Sequence, residues 1–596
     1  MAARIEDYAL IGDCHTAALV SLDGSIDWLC FPRFDSGACF AALLGTPDNG
    51  RWRIAPVGDV TRRSRRYVGD TLVLETTFET ASGAVTVTDC MPVRTGEPDL
   101  VRLVRGTRGT VRMRTEFVVR FDYGSITPWV QRDTHGVRAI GGPDAIGLHT
   151  PVRLHGEGWT TVGEFDVREG DQVPFVLHWH RSHDGASISI DAAAAVAATV
   201  DWWEEWASHC TYAGEYREQV LRSLITLKAL TYAPTGGIVA AATTSLPEQI
   251  GGVRNWDYRF CWLRDATFTL TALLHCGYLE EARAWREWLL RAVAGRGSEL
   301  HIMYGLAGER RLTEVELPWL DGYEGSRPVR VGNAAYAQFQ LDVFGEVLDC
   351  LHLGRRNGLQ NGMQDWRIEQ EMLARLEDVW EMPDEGLWEV RGPRRHFTHS
   401  KLMAWVAFDR AIKDVESFGL DGPVDRWRAL RDRLHAEICA RGYSTARNSF
   451  VQSYDSEEVD AALLVIPQIG FLPADDPRVL GTIRAVEADL LRDGFVERYR
   501  TTSGVDGLPH GEGAFLLCTT WLADAYALTG RLAEARATFE RVCAIRNDLG
   551  LLAEQYCPVQ QRQLGNFPQA FSHLGLINTA LNLTQRKKPA EERTRP

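Results

Sequence analysis

The sequence predicts a multidomain protein in which an N-terminal antiparallel β-sandwich precedes an all-α toroid of helical hairpins. Three observations carry the prediction. The chain has 596 residues, beyond the roughly 250–300 at which a single core stops growing, so at least two units are required. Over residues 1–190 short runs alternate apolar and polar side chains between turn signals. Over residues 214–584 the apolar side chains recur with helical spacing instead.

Within the first unit, TLVLETTFETASGAVTVTDCMPV alternates around Ser82-Gly83, the pattern of a hairpin, and VRMRTEFVVRF sets Val111, Met113 and Phe117 on one face of a strand. Strands at this spacing pack as an antiparallel sandwich. Residues 191–213 read as a linker helix: alanines favour the helix, and Trp202, Trp203 and Trp206 offer a face to dock on a neighbour. In the third unit EYREQVLRSLITLKALTYAP gathers Val220, Leu221, Leu224, Ile225 and Leu227 on one stripe and stops at Pro234. Two later hairpins break at Gly277 and Gly530, where a left-handed C-cap is required. About a dozen such helices fit an α/α toroid, and a helical solenoid gives the same local signal. Residues 585–596, charged and without apolar periodicity, read as a frayed tail.

Net charge is -15, which argues against nucleic acid or an anionic membrane as partner, since either needs a basic surface. A neutral small molecule suits it better, and the nineteen Trp residues include flat rings able to stack on a pyranose. The start, MAARIEDYALIGD, lacks the basic and apolar segments of a signal peptide, and no run approaches the ~20 apolar residues of a membrane span, so a cytoplasmic protein is expected. Twelve scattered Cys do not form a disulfide framework, and the absence of CxxC and HExxH spacing predicts no metal and no cofactor.

In a toroid of hairpins the chemistry sits on the loops at one end. Five loops concentrate polar and aromatic residues: 255–266, 317–335, 384–401, 510–515 and 551–575. Glu389 follows Trp388 and precedes Arg391, a setting in which an aromatic wall desolvates a carboxyl as a general acid requires. Glu554, beside Gln555 and ahead of a Pro- and Gly-containing loop, is placed to polarise a water. The two form a candidate acid/base pair for glycoside hydrolysis. Arg264-Asp265 offers charge-assisted bonds to sugar hydroxyls, with Trp256 and Trp262 as stacking walls. His573 joins them as a substrate-binding candidate, and Glu512 reads as a helix-cap carboxylate.

Together these clusters resemble glycoside hydrolase family 15, the glucoamylases and their bacterial trehalase relatives. WLRDA resembles the family's arginine-aspartate sugar clamp, LWEVRG its catalytic-acid segment and LAEQY its catalytic-base segment; GYEGSRPVRVGNAA and LGNFPQAFSHLGLINTA extend the likeness through most of residues 210–584. The opening IEDYALIGDCHTAALVSLDGSIDWLCFPRFDSGACFAALLG resembles the N-terminal domain of trehalase-type members. The resemblance implies a β-sandwich and an (α/α)6 barrel, inversion at the anomeric carbon, Glu389 as acid, Glu554 as base, and Arg264 and Asp265 on the terminal glucose. Asp455 stands where a Gly is commoner, and no starch-binding module is appended. The substrates implied are trehalose, isomaltose-type sugars or short maltodextrins, with trehalose preferred; the sequence leaves the oligomeric state open. Two rivals are a glycoside phosphorylase on a similar barrel, which would lack a carboxylate at the base position, and a non-catalytic sugar-binding protein.

Overall fold

The hairpin at Ser82-Gly83 joins the strands Leu74–Thr80 and Gly83–Cys90, with Thr80 opposite Gly83. This computed structural model describes residues 2–584 apart from 95, 134, 186–189, 296–298 and 360–362; the expected tail at 585–596 lies outside the described residues. The strand Asp99–Val118 is 20 residues long and belongs to both layers. Its first half pairs with Gly83–Cys90 and Gln172–Arg181, its second half with Arg51–Pro56 and Thr160–Arg168. A bulge at Thr107 and the positive φ of Gly109 (+61°) bend it from one layer to the other. Val111, Met113 and Phe117 are buried as their alternation requires.

The linker helix α1 (Ala192–Ser208) starts where the Asp191 side chain accepts from Ala194 N. Trp203 and Trp206 are buried, and Trp206 stacks on Tyr278 at 4.3 Å while its Nε1 donates to Glu281 Oε1 at 2.6 Å. Trp202 stays at the edge of this contact, under the Lys228 ammonium.

Eleven further α-helices follow among the described residues: α2 (Arg217–Ala229), α3 (Ala266–His275), α4 (Leu279–Val293), α5 (Asp342–Arg356), α6 (Met363–Val379), α7 (Thr398–Phe418), α8 (Val424–Arg441), α9 (Pro477–Asp489), α10 (Leu516–Leu528), α11 (Leu532–Ala544) and α12 (Ala570–Thr584). Those buried along nearly their whole length, α3, α5, α7, α10 and α12, form an inner ring. α3 packs on α5, α5 on α7, α10 on α12, and α12 back on α3, which closes the ring and excludes an open solenoid. The sixth inner element, between α7 and α10, is the short 3₁₀ turn Ala461–Val465 rather than a full helix, because Pro467 and Gly470 stop it. Outer helices bury only a stripe, as α11 does with Ala535, Phe539 and Val542.

Connections out of the ring are short, such as 276–278 and 529–531, whereas those leading into it are long, such as 230–265, 294–341, 490–515 and 545–569. The long ones all meet at the N-terminal ends of the inner helices. The two short turns depend on glycines at positive φ, Gly277 (+93°) and Gly530 (+82°). A Cβ on Gly277 would lie 2.8 Å from His209 O, while one on Gly530 would meet open space. Gly530→Ala should therefore cost only the left-handed backbone penalty of about 1–2 kcal/mol, and Gly277→Ala should lower the melting temperature further; equal shifts in a thermal melt would contradict this reading.

Candidate active site

Five of the connections leading into the ring, those at 230–265, 294–341, 380–397, 490–515 and 545–569, converge on one pocket, and among the predicted residues Trp256, Arg264, Trp388, Glu389 and Arg391 line it. Glu389 ends a tight turn: its N donates to Gly386 O, and its φ of +57° is a left-handed conformation that costs a non-glycine residue energy. Gln338 holds the turn, Nε2 donating to the carbonyls of Glu389 and Val390 at 3.2 and 3.1 Å. Trp262 Nε1 donates to Glu389 Oε1 at 2.6 Å and Arg264 Nη1 donates to the same oxygen at 3.1 Å. The aromatic neighbour of this carboxyl is thus Trp262. Trp388, expected in that place, turns its Nε1 to Asp460 and lines the pocket with its ring.

Arg264 is held by Asp265 Oδ1 at 3.2 Å and by the carbonyl of Leu387, over the ring of Phe571. Asp265 is buried at the head of α3 without capping it, and burial raises its carboxyl to about 6 against the pull of Arg264. Trp256 lies beneath two guanidiniums, those of Arg330 and Arg391, and Arg391 is paired to Glu314.

Glu554 is 1% exposed and stands just behind the pocket wall. Its Oε1 accepts from the hydroxyl of Tyr258, a lining residue, at 2.7 Å. Its Oε2 occupies space left free by Gly565, where a Cβ would come within 2.4 Å of it. Burial raises the Glu554 carboxyl to about 7, opposed by the Arg498 charge and the Tyr258 hydrogen bond. Beside it a buried network joins two arginines to three carboxylates. Arg498 bonds Glu248 Oε2 at 2.9 Å and both oxygens of Glu512. Arg254 bonds Asp506 Oδ2 at 2.6 Å and approaches Glu512 at 3.5 Å.

Three expectations are corrected. Glu512 caps no helix; it is the shared counter-ion of Arg498 and Arg254. His573 is fully buried away from the pocket, its Nδ1 on Ser223 Oγ and its Nε2 accepting from Leu552 N, so it ties α2 and α12 to the Glu554 loop. Gln555 is buried in a short ladder opposite Phe515 and also lies off the pocket lining. Conversely, Tyr258, Glu248, Arg254 and Arg498 belong to the site without having been picked out. Tyr258 sits inside the cluster 255–266, and an Arg-Tyr pair between apolar Val496 and the polar run after it was the remaining signal for Arg498.

Two carboxylates held by separate donors at the mouth of a helical ring, with a part-buried arginine on one of them, are the equipment of a glycoside hydrolase. The family model described as glycosyl hydrolases family 15 matches residues 214–581, and the trehalase-like N-terminal model matches residues 1–178. The chain belongs to glycosyl hydrolase family 15. A trehalase of Mycobacterium tuberculosis is 37% identical over 98% of this chain and 90% of its own length. A trehalase of Thermoplasma volcanium is 35% identical over 98% of this chain and 94% of its own length. The fold is similar to that of a bacterial glucoamylase crystallised with acarbose, with a TM-score of 0.74 and 13% identity over 99% of this chain and 95% of that one. The enzyme class and the (α/α)6 architecture agree with the sequence reading.

Two tests follow from the burial of Glu554. A raised carboxyl contributes stability that is full below the ordinary carboxylate range and is lost as pH climbs through about 7. Glu554→Gln removes that titration, so its melting temperature should gain on wild type between pH ~5 and pH ~8; a constant difference across that range would contradict the assignment. Gly565→Ala pushes on Glu554 Oε2 and should lower kcat at least roughly tenfold, with KM little changed, in steady-state assays.

Proposed function

We propose that the chain hydrolyses trehalose to glucose with inversion, Glu389 acting as general acid and Glu554 as general base. The observation that carries this reading is that one short segment addresses the two carboxylates separately. Tyr258 donates to Glu554 and Trp262 to Glu389, from rings 5.3 Å apart at 70°. Separate tethers oppose the sharing of a proton and support a gap of about 6.5–9.5 Å, enough for a water under the sugar. Arg264 and Asp265 are assigned to the hydroxyls of the reacting glucose, where contacts that tighten as the ring flattens lower the barrier.

Trehalose as substrate is supported by the two trehalases that match through both domains. The carboxylate at the base position favours hydrolysis over phosphorolysis. All twelve cysteines are free, which suits a reducing cytoplasm.

Proton NMR of the earliest products from trehalose should show α- and β-glucose in equal amounts, since the attacked glucose inverts while the departing one keeps its α configuration, and Glu389→Gln and Glu554→Gln should each lower trehalose turnover roughly 10²–10⁴-fold. Glu389→Gln should retain more activity on α-glucosyl fluoride, whose leaving group needs little protonation. α-Glucose formed from trehalose without an equal amount of β-glucose, or a fully active Glu554→Gln enzyme, would sink the mechanism; maltotriose cleaved in preference to trehalose would sink the substrate alone.

A further inference from the structure

We infer that Arg259 is a positioning residue through which the N-terminal sandwich fixes the catalytic base. The inference rests on the reading of Glu554 as that base. Arg259 is 1% exposed and does not line the pocket. Its Nε and Nη2 grip Asp257 at 2.9 and 2.7 Å, so the residues on either side of Tyr258 are locked to each other as a fork. Its Nη1 reaches out of the helical unit and donates to Ser36 O at 3.0 Å and Phe34 O at 3.3 Å. The guanidinium also lies over the rings of Tyr123 and Trp28, at 5.3 and 5.9 Å. All four of these partners belong to the N-terminal unit.

The other arm of the fork is anchored as firmly. Asp257 Oδ2 accepts from Gly332 N at 3.0 Å, and Asp257 O accepts from Asn333 Nδ2 at 3.3 Å. Tyr258 is therefore suspended between the sandwich on one side and the 317–335 loop on the other, with its hydroxyl 2.7 Å from Glu554 Oε1. A buried, bidentate, charge-assisted pair is costly to leave half made. Loss of the Arg259 fork should release the Tyr258 backbone, and the hydroxyl that orients the base should then wander. Arg259 touches neither the pocket nor Glu554, so any effect on turnover is indirect, and Tyr258, held between the two forked residues, is the direct link to Glu554.

A double-mutant cycle tests this. Wild type, Arg259→Met, Tyr258→Phe and the double variant are compared by kcat and KM on trehalose, with circular dichroism and melting curves to confirm folding. Each single change should lower kcat roughly tenfold or more with KM changed far less, and the double should fall no further than the worse single, the sign of a shared path. A folded Arg259→Met enzyme with wild-type kcat, or losses that multiply in the double, would overturn the inference. Arg259→Lys keeps the charge opposite Asp257 but not the fork; it should give an intermediate kcat, and it replaces Met in the same cycle if that variant does not fold. Glu554→Gln is assayed alongside. An active Glu554→Gln enzyme brings down the base assignment itself, whereas an inactive one with multiplying losses brings down only the role of Arg259.

Discussion

Two buried guanidiniums, those of Arg254 and Arg498, set the terms for the wall of the site. A charge taken out of water must be paired and hydrogen-bonded or the fold loses several kcal/mol. Arg498 meets that demand with Glu248 and Glu512, and Arg254 with Asp506 and Glu512. Glu248 comes from the connection before α3, while Asp506 and Glu512 come from the one before α10, so satisfying the two cations clamps separate loops into one surface. The same surface tunes the chemistry. Burial raises Glu248 to about 8 and Glu554 to about 7, the Arg498 charge opposing the shift and the neighbouring carboxylates adding to it. The loops that build the pocket and the charges that face Glu554 thus belong to one set of contacts.

Glu389, the proposed acid, is held by another means. Glu389 sits on a left-handed turn that a free chain would avoid, and the turn is held by the Gln338 amide and by the bond that Arg391 N donates to Asp506 O. Because Asp506 also serves Arg254, the loop bearing Glu389 and the wall flanking Glu554 share an anchor. Stored backbone strain on one side and a raised carboxyl on the other are both stabilised by the closed ring of helices beneath them.

Much of this was legible in the sequence where it depended on neighbours along the chain. The period-two and helical patterns report which side of a strand or helix is buried, so both units emerged from them, as did the left-handed turns at Gly277 and Gly530. Glu389, Glu554 and Arg264 stood in local contexts that matched a family. What failed depended on distant partners. Nothing near Glu512 announces Arg498 and Arg254, so its place ahead of a helix suggested a cap. The Glu248–Arg498 pair spans 250 residues. His573, polar on a buried helix, gave no local sign of whether it faced a cavity or, as the structure has it, Ser223 and a backbone amide. Trp388 and Trp262 exchanged their expected parts because adjacency in sequence says little about which ring reaches a side chain on a strained turn.

The strand Asp99–Val118 threads both layers of the sandwich. In two-layer β proteins whose sheets meet only through side chains, one layer can slide over the other at little cost in hydrogen bonds. Here such sliding would have to tear ladder bonds on both flanks of a single strand, so the sandwich is stiff against shear. Stiffness of that kind is what a strut needs at its foot: the carbonyls of Phe34 and Ser36 are presented to the catalytic unit from a body that does not creep.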